Sequence, residues 1–273
     1  MKMSCLPVSL FGDICSGKME LVDWAREAKD MGYDGIDISI MFLKNRTPTY
    51  LAALKRQLNE IGMPIIMMTT YPDFTHPDSV QREREMLYLK ADVALASKLG
   101  IRYLRILAGQ AHADVSREDC IKWVSDAFHE IDEYGKKFGV GLLFENHGKP
   151  GAWDKVDFTF DPQNFLAICR RIGDTDIRIN FDTGNITAHG EDPRDILPEV
   201  LERVETIHVT DMAQRGVFSP TVIGTGVTPN AEVFRMLKKA GFNKWLCIEE
   251  ASGHGLQGIR KAHDDVKKTW EEA

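Results

Sequence analysis

Phe138-Gly139-Val140-Gly141-Leu142-Leu143-Phe144-Glu145 carries three signals in succession. A helix-like stretch ends, a glycine turns the chain, and a short apolar run finishes on a carboxylate. Glycine just past a helix tolerates the left-handed conformation that ends it. The same order recurs in Met31-Gly32-Tyr33, Ile61-Gly62-Met63 and Leu99-Gly100-Ile101, and Gly173 and Gly241 occupy equivalent places. Strand-like runs fall at 4–10, 34–39, 64–70, 101–107, 140–145, 177–182, 205–210 and 245–250. Helix-like stretches lie near 18–31, 48–61, 78–99, 116–138, 161–172, 192–203, 229–240 and 256–271. Start signals agree with these bounds. Ser116 precedes acidic first-turn residues, and Asp161-Pro162 and Asp192-Pro193 each pair an N-cap Asp with Pro at the first helical position.

Strict strand–helix alternation predicts parallel strands with right-handed crossovers. Eight such units in 273 residues match one (β/α)8 TIM barrel, an α/β fold, as a single domain over residues 1–273. An open doubly wound sheet is the alternative. It fits less well because no Gly-rich phosphate fingerprint follows a strand.

Four apolar runs end in residue types that bind metal: Glu145, Asp182, His208 and Glu249. Successive positions are 37, 26 and 41 residues apart, and a strand, loop and helix take roughly 30 residues or more. The four therefore fall on consecutive units, at the carboxyl ends of their strands, the catalytic face of a barrel. A buried carboxylate is costly unless neutralised. Any single one could be a charged strand end facing solvent; all four together point to one metal site. Three carboxylates and one imidazole suit a single divalent ion, Mn²⁺ first, with Mg²⁺, Co²⁺ or Zn²⁺ as alternatives. Glu249 rather than Glu250 is the expected ligand, since side chains alternate across a strand. Glu250 then faces the helices or supports the site from behind.

Apolar residues make up 43% of the chain, enough for a sizeable core, and the net charge is −7. That charge argues against a nucleic-acid groove. Cys5, Cys15, Cys120, Cys169 and Cys247 show no paired spacing and read as free thiols of a reducing compartment, so a cytoplasmic location is expected. Cys5 and Cys247 fall in strand-like runs and are expected in the core. No run is long enough for a transmembrane helix, no membrane partner is expected, and Met1–Phe11 lacks the features of a signal peptide.

Phe144-Glu145-Asn146-His147, Phe181-Asp182-Thr183-Gly184-Asn185, Ile207-His208-Val209-Thr210-Asp211 and Ile248-Glu249-Glu250 resemble the xylose-isomerase-like barrel superfamily over essentially the whole chain. That group includes tagatose 3-epimerase, hydroxypyruvate isomerase, inosose-pathway enzymes and endonuclease IV. The resemblance implies that Glu145 and Glu249 bind the metal and also move protons, with Asp182 and His208 completing the shell. It implies an isomerase or epimerase of a sugar, keto-sugar or sugar acid, phosphorylated or not, working through a metal-stabilised enediolate. Asn146, His147, Asn185, Asp211 and Arg215 are candidate substrate-binding residues. Asn146 and His147 contact substrate, orient the metal shell or simply form a strand-end turn, and Asp211 holds Arg215 or a substrate hydroxyl. Arg215 is similar to a substrate-binding Arg of sugar epimerases, although the offset does not match cleanly, or is a surface loop residue. Barrels of this type often pair through loops on the catalytic face, so a homo-oligomer is consistent with the resemblance.

Two departures weaken a ketohexose epimerase assignment. Asn185 stands where sugar 3-epimerases usually carry His, and Lys149-Pro150-Gly151 stands where they carry a Glu. A lyase or dehydratase acting on a keto-sugar or cyclitol is the alternative, using the same metal and bases. A nuclease would need extra His at strand ends and a basic face, and neither is present. A non-catalytic sugar-binding barrel leaves both proton-transfer carboxylates unexplained. Among weaker features, Gly224-Thr225-Gly226 is a phosphate-cradle candidate or a plain loop, and Arg105 reaches the pocket or pairs with a carboxylate such as Glu145. Trp153 is a candidate lid residue and His76 a candidate pocket wall, while His112, His129 and His263 read as ordinary surface or helix residues.

Overall fold

The structure, a computed structural model, describes residues Met1–Ala273. Eight strands form one sheet: β1 (Lys2–Leu6), β2 (Ile36–Ser39), β3 (Ile65–Thr69), β4 (Tyr103–Ile106), β5 (Gly141–Glu145), β6 (Arg178–Asp182), β7 (Val204–Val209) and β8 (Trp245–Glu249). Their order is β1-β8-β7-β6-β5-β4-β3-β2, and every paired neighbour is parallel. Each strand thus lies beside its neighbours in sequence, and β8 returns to β1. The β1–β2 seam closes by a backbone bond and by carboxylates rather than by a regular ladder. The Asp34 N–H donates to the Met3 carbonyl at 2.8 Å, the Met3 N–H donates to Asp34 Oδ2 at 2.8 Å, and the Ser4 hydroxyl donates to Asp37 Oδ2 at 2.6 Å. The result is a nearly closed (β/α)8 barrel.

The strands are short and buried on both faces, as parallel strands under a layer of helices must be. One cluster of 64 buried apolar residues joins strands to helices. A smaller cluster packs apart from it and includes Met67, Tyr103, Leu143, Trp245 and Cys247. Alternation puts Tyr103 on the face of Arg105, Leu143 on that of Glu145, and Cys247 on that of Glu249. The smaller cluster is therefore the floor of the barrel, and the polar layer sits on it at the carboxyl mouth.

The expected caps are present. Ser116 Oγ accepts from the Asp119 N–H, Asp161 from Gln163, and Asp192 from Arg194. Gly32, Gly62, Gly100, Gly139 and Gly241 all have positive φ. Gly173 does not. The helix Pro162–Arg171 ends at Ile172, whose carbonyl accepts from the Thr175 hydroxyl and N–H, so no left-handed residue is needed. Two expected elements are also shorter than their expected spans. β1 stops at Leu6, because Pro7 cannot donate to a ladder, and Val8–Leu10 turn as a 3-10 helix. The expected helix at 192–203 is only Pro193–Ile196 followed by two 3-10 turns, since Pro198 cannot sit inside an α-helix. Two short helices, Phe11–Cys15 and Thr183–His189, carry no periodic signature and were not expected. All five cysteines are free, and Cys5 and Cys247 are fully buried. No helix is long and apolar enough to cross a membrane.

Candidate metal centre

Consecutive strands β5, β6, β7 and β8 end in Glu145, Asp182, His208 and Glu249, and one potential ligand atom from each lies within 4.8 Å of all the others. Glu145, Asp182 and His208 are fully buried, while the Glu249 side chain retains 20% exposure at the mouth. His208 Nδ1 lies 2.6 Å from Glu145 Oε1 and 2.9 Å from Glu249 Oε2. Burial alone would lower the imidazole pKa; the Glu145 and Glu249 carboxylates outweigh it and hold His208 well above its ordinary value. Burial likewise opposes ionisation of Glu145, but the charges of His208 and Arg105 hold it at about 2. Asp182 goes the other way, raised by burial and by the negative charges of Glu249 and Glu145.

Each ligand candidate has its own support. The Asn180 amide donates to Glu145 Oε1 at 3.0 Å and is itself held by the Thr206 hydroxyl at 2.6 Å. Asp182 is both the end of β6 and the N-cap of the Thr183–His189 helix. Its Oδ1 accepts from the Asn185 N–H at 2.6 Å and from the Thr210 hydroxyl at 2.9 Å. Its Oδ2 is buried with no hydrogen-bond partner. Asn146 clamps the Asp182 peptide in both directions, donating to its carbonyl at 2.8 Å and accepting from its N–H at 2.9 Å. Arg105, 2% exposed, brings Nε to 3.1 Å from Glu145 Oε2, close enough for an ion pair although not aligned for a hydrogen bond. The Tyr71 ring lies 5.0 Å from its guanidinium.

This donor set fits a divalent cation. Three carboxylates share a closed space with one buried arginine and one imidazole, and burial together with Glu145 and Glu249 opposes ionisation of Asp182, which a further cation would relieve. Asp182 Oδ2 and Glu145 Oε2 are buried oxygens without hydrogen-bond donors, and buried acceptors in that condition are costly. Oxygen-rich sites with one imidazole suit Mn²⁺ or Mg²⁺.

A cavity of about 560 Å³ opens over the cluster, lined by Glu249, Arg105 and His147 among others. His147 is buried, with Nδ1 at 3.7 Å from Asp157 Oδ2. Burial, reinforced by Arg105, pushes its imidazole down to about 4, and burial pushes Asp157 up.

The other sequence candidates separate. His147 lines the cavity, and Asn185 lies beside the cluster, its amide donating to the Asn146 carbonyl at 3.3 Å. Asn146 holds the Asp182 peptide with both atoms of its amide. Asp211 does not hold Arg215. Its carboxylate accepts from the N–H groups of Gly224, Gly226 and Thr228 at 3.0, 2.8 and 3.0 Å. An internal carboxylate therefore fills the Gly224-Thr225-Gly226 cradle that a phosphate would need. Arg215 is turned away: its side chain is 45% exposed and reaches Asp192 at 3.3 Å. Glu250 is buried on the opposite face from Glu249 and accepts from the Ser252 N–H at 2.9 Å. Trp153 is not among the cavity-lining residues; its neighbours Pro150, Gly151 and Ala152 are. His76 packs against His112, which is bound to Asp73 at 3.0 Å. His263 is a helix residue, on the buried face of Gly255–Glu272 against Tyr33.

Sequence reasoning missed Asn180, Thr210 and Asp157. Asn180 and Thr210 carry a usable signal: each is polar, two residues from a ligand candidate, and on the same strand face by alternation. Asp157 comes from a loop twelve residues past Glu145, and nothing local marks it.

A (β/α)8 barrel with one imidazole and three carboxylates converging at its carboxyl mouth defines a class of barrel proteins. The chain belongs to the xylose isomerase-like TIM barrel family, whose model matches residues 25–270. It is 23% identical over 248 residues to an inosose dehydratase of Bacillus thuringiensis (strain Al Hakam), spanning 80% of this chain and 78% of that protein. Among solved structures, a D-tagatose 3-epimerase-like protein superposes with TM-score 0.80 at 16% identity, covering 100% of this chain and 98% of the other. A probable 3-DHS dehydratase from Bacillus anthracis gives TM-score 0.79 at 18% identity, covering 98% and 99%.

Proposed function

We propose that the protein is a divalent-metal-dependent isomerase or epimerase of a keto-sugar or sugar acid, moving a proton at the carbon beside a carbonyl. The observation that carries this reading is the convergence of Glu145, Asp182, His208 and Glu249 in one cluster, whose member Glu249 lines the cavity. These four would hold the ion, with Mn²⁺ favoured by the donor set. A bound divalent ion would supply Lewis-acid stabilisation of negative charge on substrate oxygens.

The remaining work belongs to the chain. Glu145 and Glu249 stand on β5 and β8, separated by two strands, so they approach a substrate from different sides. One takes the proton from carbon and the other returns it. His208 and, after it, Arg105 keep Glu145 ionised in a site where burial favours the neutral acid. Thr210 and the Asn185 N–H hold one oxygen of Asp182, leaving the other for the ion. The polar residues in the cavity suit a small carbohydrate-like substrate.

A dehydratase is the second reading, and it has its own support in the inosose dehydratase relatives and in the dehydratase among the structural neighbours. Proton removal is common to both; in the dehydratase a hydroxyl β to the acidic carbon leaves as water. Incubation of Mn²⁺-loaded protein with keto-sugars and keto-cyclitols in deuterated buffer separates them. Deuterium at the carbon beside the carbonyl with carbon skeleton and formula otherwise retained supports the isomerase or epimerase. Loss of water supports the dehydratase. No exchange and no product with any of them would overturn both.

A further inference from the structure

Nine large apolar side chains are exposed in this protein, and three of them, Val80, Leu87 and Tyr88, stand on the single helix Ser79–Leu99, at 58%, 65% and 53% exposure. No other α-helix carries one. We infer that this helix is a dimerisation surface. The partner it fits is a second copy of the same chain, with the two helices packed side by side and parallel about a two-fold axis.

Three observations carry it. First, the helix is apolar on both faces. Inward it buries Met86, Leu89, Val93 and Ala96. Outward, Val80, Leu87 and Ala91 recur at helical spacing and form one exposed stripe. The neighbouring helix Arg117–Phe138 turns Lys122, Asp126, Glu130 and Glu133 outward instead. Scattered exposed apolar residues need no account, but a helix that is apolar all round is one covered on both sides. Second, the charges beside the stripe match those of a copy. Successive residues turn by about 100° around a helix, so Glu83 falls on one side of the stripe and Arg84 on the other. The charges near them are satisfied within the chain: Lys90 meets Glu130 at 2.6 Å, Lys122 meets Asp126 at 2.6 Å, and Arg82 covers the Trp123 ring at 3.7 Å. Glu83 and Arg84 are exposed and form no ion pair; Arg84 reaches only the Gln81 side-chain oxygen, at 3.3 Å. A parallel two-fold sets the left side of one helix against the right side of its copy, as at the flanks of a parallel coiled coil. Glu83 of each copy then faces Arg84 of the other. An antiparallel pair would set Glu83 against Glu83. Third, the shape fits the same arrangement. On the Glu83 side a groove of about 490 Å³ lies open towards the helix Arg117–Phe138, with buried Phe74 and Met86 lining it beside Leu87 and Trp123. On the Arg84 side Tyr88 projects. Parallel pairing brings Tyr88 of each copy to the groove of the other. An anionic membrane does not fit, because Glu83, Asp126 and Glu130 edge the groove and the chain carries a net charge of −7. The helix runs along the barrel wall, so both catalytic mouths open in the same direction and stay uncovered.

One helix pair with its flanks is at the low end of interface sizes, where association is weak and depends on concentration. Sedimentation velocity of the full-length protein from about 1 to 300 μM should show a monomer–dimer equilibrium with Kd on the order of 10 μM. Leu87→Ser, Glu83→Arg and Arg84→Glu, all at exposed positions, should each raise Kd about tenfold or more with an unchanged circular dichroism spectrum. Glu83→Arg and Arg84→Glu together restore the opposite charges across the axis, and Kd should return to within about threefold of the unmodified value. A protein that stays monomeric at every concentration overturns the proposal and leaves the face to a partner other than a second copy. A dimer unmoved by Leu87→Ser pairs through another surface, such as the loops of the catalytic face, and overturns it as well. Dissociation in both single charge reversals without recovery in the double variant overturns the parallel two-fold pairing.

Discussion

Glu145 and Glu249 are the residues on which the proposed chemistry stands. Glu145→Gln and Glu249→Gln keep shape but remove the proton acceptor, so each should lower kcat by about 10²- to 10⁴-fold with an unchanged circular dichroism spectrum. Near-normal turnover in either variant would remove that residue from proton transfer. Thr210 makes a narrower case. Its hydroxyl donates to Asp182 and accepts from the Gly184 N–H at 2.7 Å, so it fixes a ligand candidate without facing the cavity. Thr210→Val should weaken Mn²⁺ binding by about 10- to 100-fold, read by direct metal titration; unchanged affinity would show that Asp182 is held well enough by the Asn185 N–H alone. The four ligand candidates were legible because a charge at the end of an apolar run is expensive and the expense recurs at one place in a repeating unit. The partners of Asp211 and Arg215 were not legible for the opposite reason. Their partners lie in the long loop after β7 and at the Asp192 cap, and nothing in the local sequence fixes which backbone N–H or carboxylate they meet.

The elements themselves were legible where glycine, proline and capping residues punctuate them, and obscure where a helix is too short to show a period. Thr183–His189 is such a case: it exists because Asp182 caps it, and the same carboxylate belongs to the cluster. The helix Ser79–Leu99 shows a different tension. It carries Asp92 into a nearly buried position, where Arg46 meets it at 2.9 Å. Burial nevertheless raises Asp92 to about 6, with the Arg46 charge only partly opposing the shift. A carboxylate whose folded pKa exceeds its unfolded value near 3.8 binds its proton more tightly in the folded state. Its contribution is fully present below about 4 and is lost as pH rises through about 6. Asp92→Asn should therefore stabilise the protein by about 1–3 kcal/mol at pH 8 and make little difference at pH 4. Urea unfolding at the two pH values checks this. A loss of stability at pH 8 would mean that the Arg46 ion pair outweighs the burial of Asp92.

At the scale of the whole molecule, alternation of eight strands and helices implied closure, but the closing seam was not readable. Between β1 and β2 the Asp34 and Asp37 carboxylates take backbone and hydroxyl donors, a use of acidic residues that looks like surface charge in a sequence. The metal site completes the same ring from the other side, because its ligand candidates come from four successive strands, β5 to β8. An ion bound there ties those strands together in the folded state and finds no equivalent site in the unfolded chain. Binding to the folded state alone stabilises it by about 2.7 kcal/mol when free metal is a hundredfold above Kd, which for a chain of this size is several degrees in Tm. Thermal unfolding after chelation, then with Mn²⁺ restored, should show that rise in the unmodified protein together with about one ion per chain by elemental analysis. The Asp182→Ala, His208→Ala double variant should bind no ion and show no metal-dependent change in Tm. If the unmodified protein took up no metal and its Tm ignored Mn²⁺, the cluster would be a self-neutralising polar core, with His208 serving as the cation between Glu145 and Glu249, and the proposed enzyme would lose its centre.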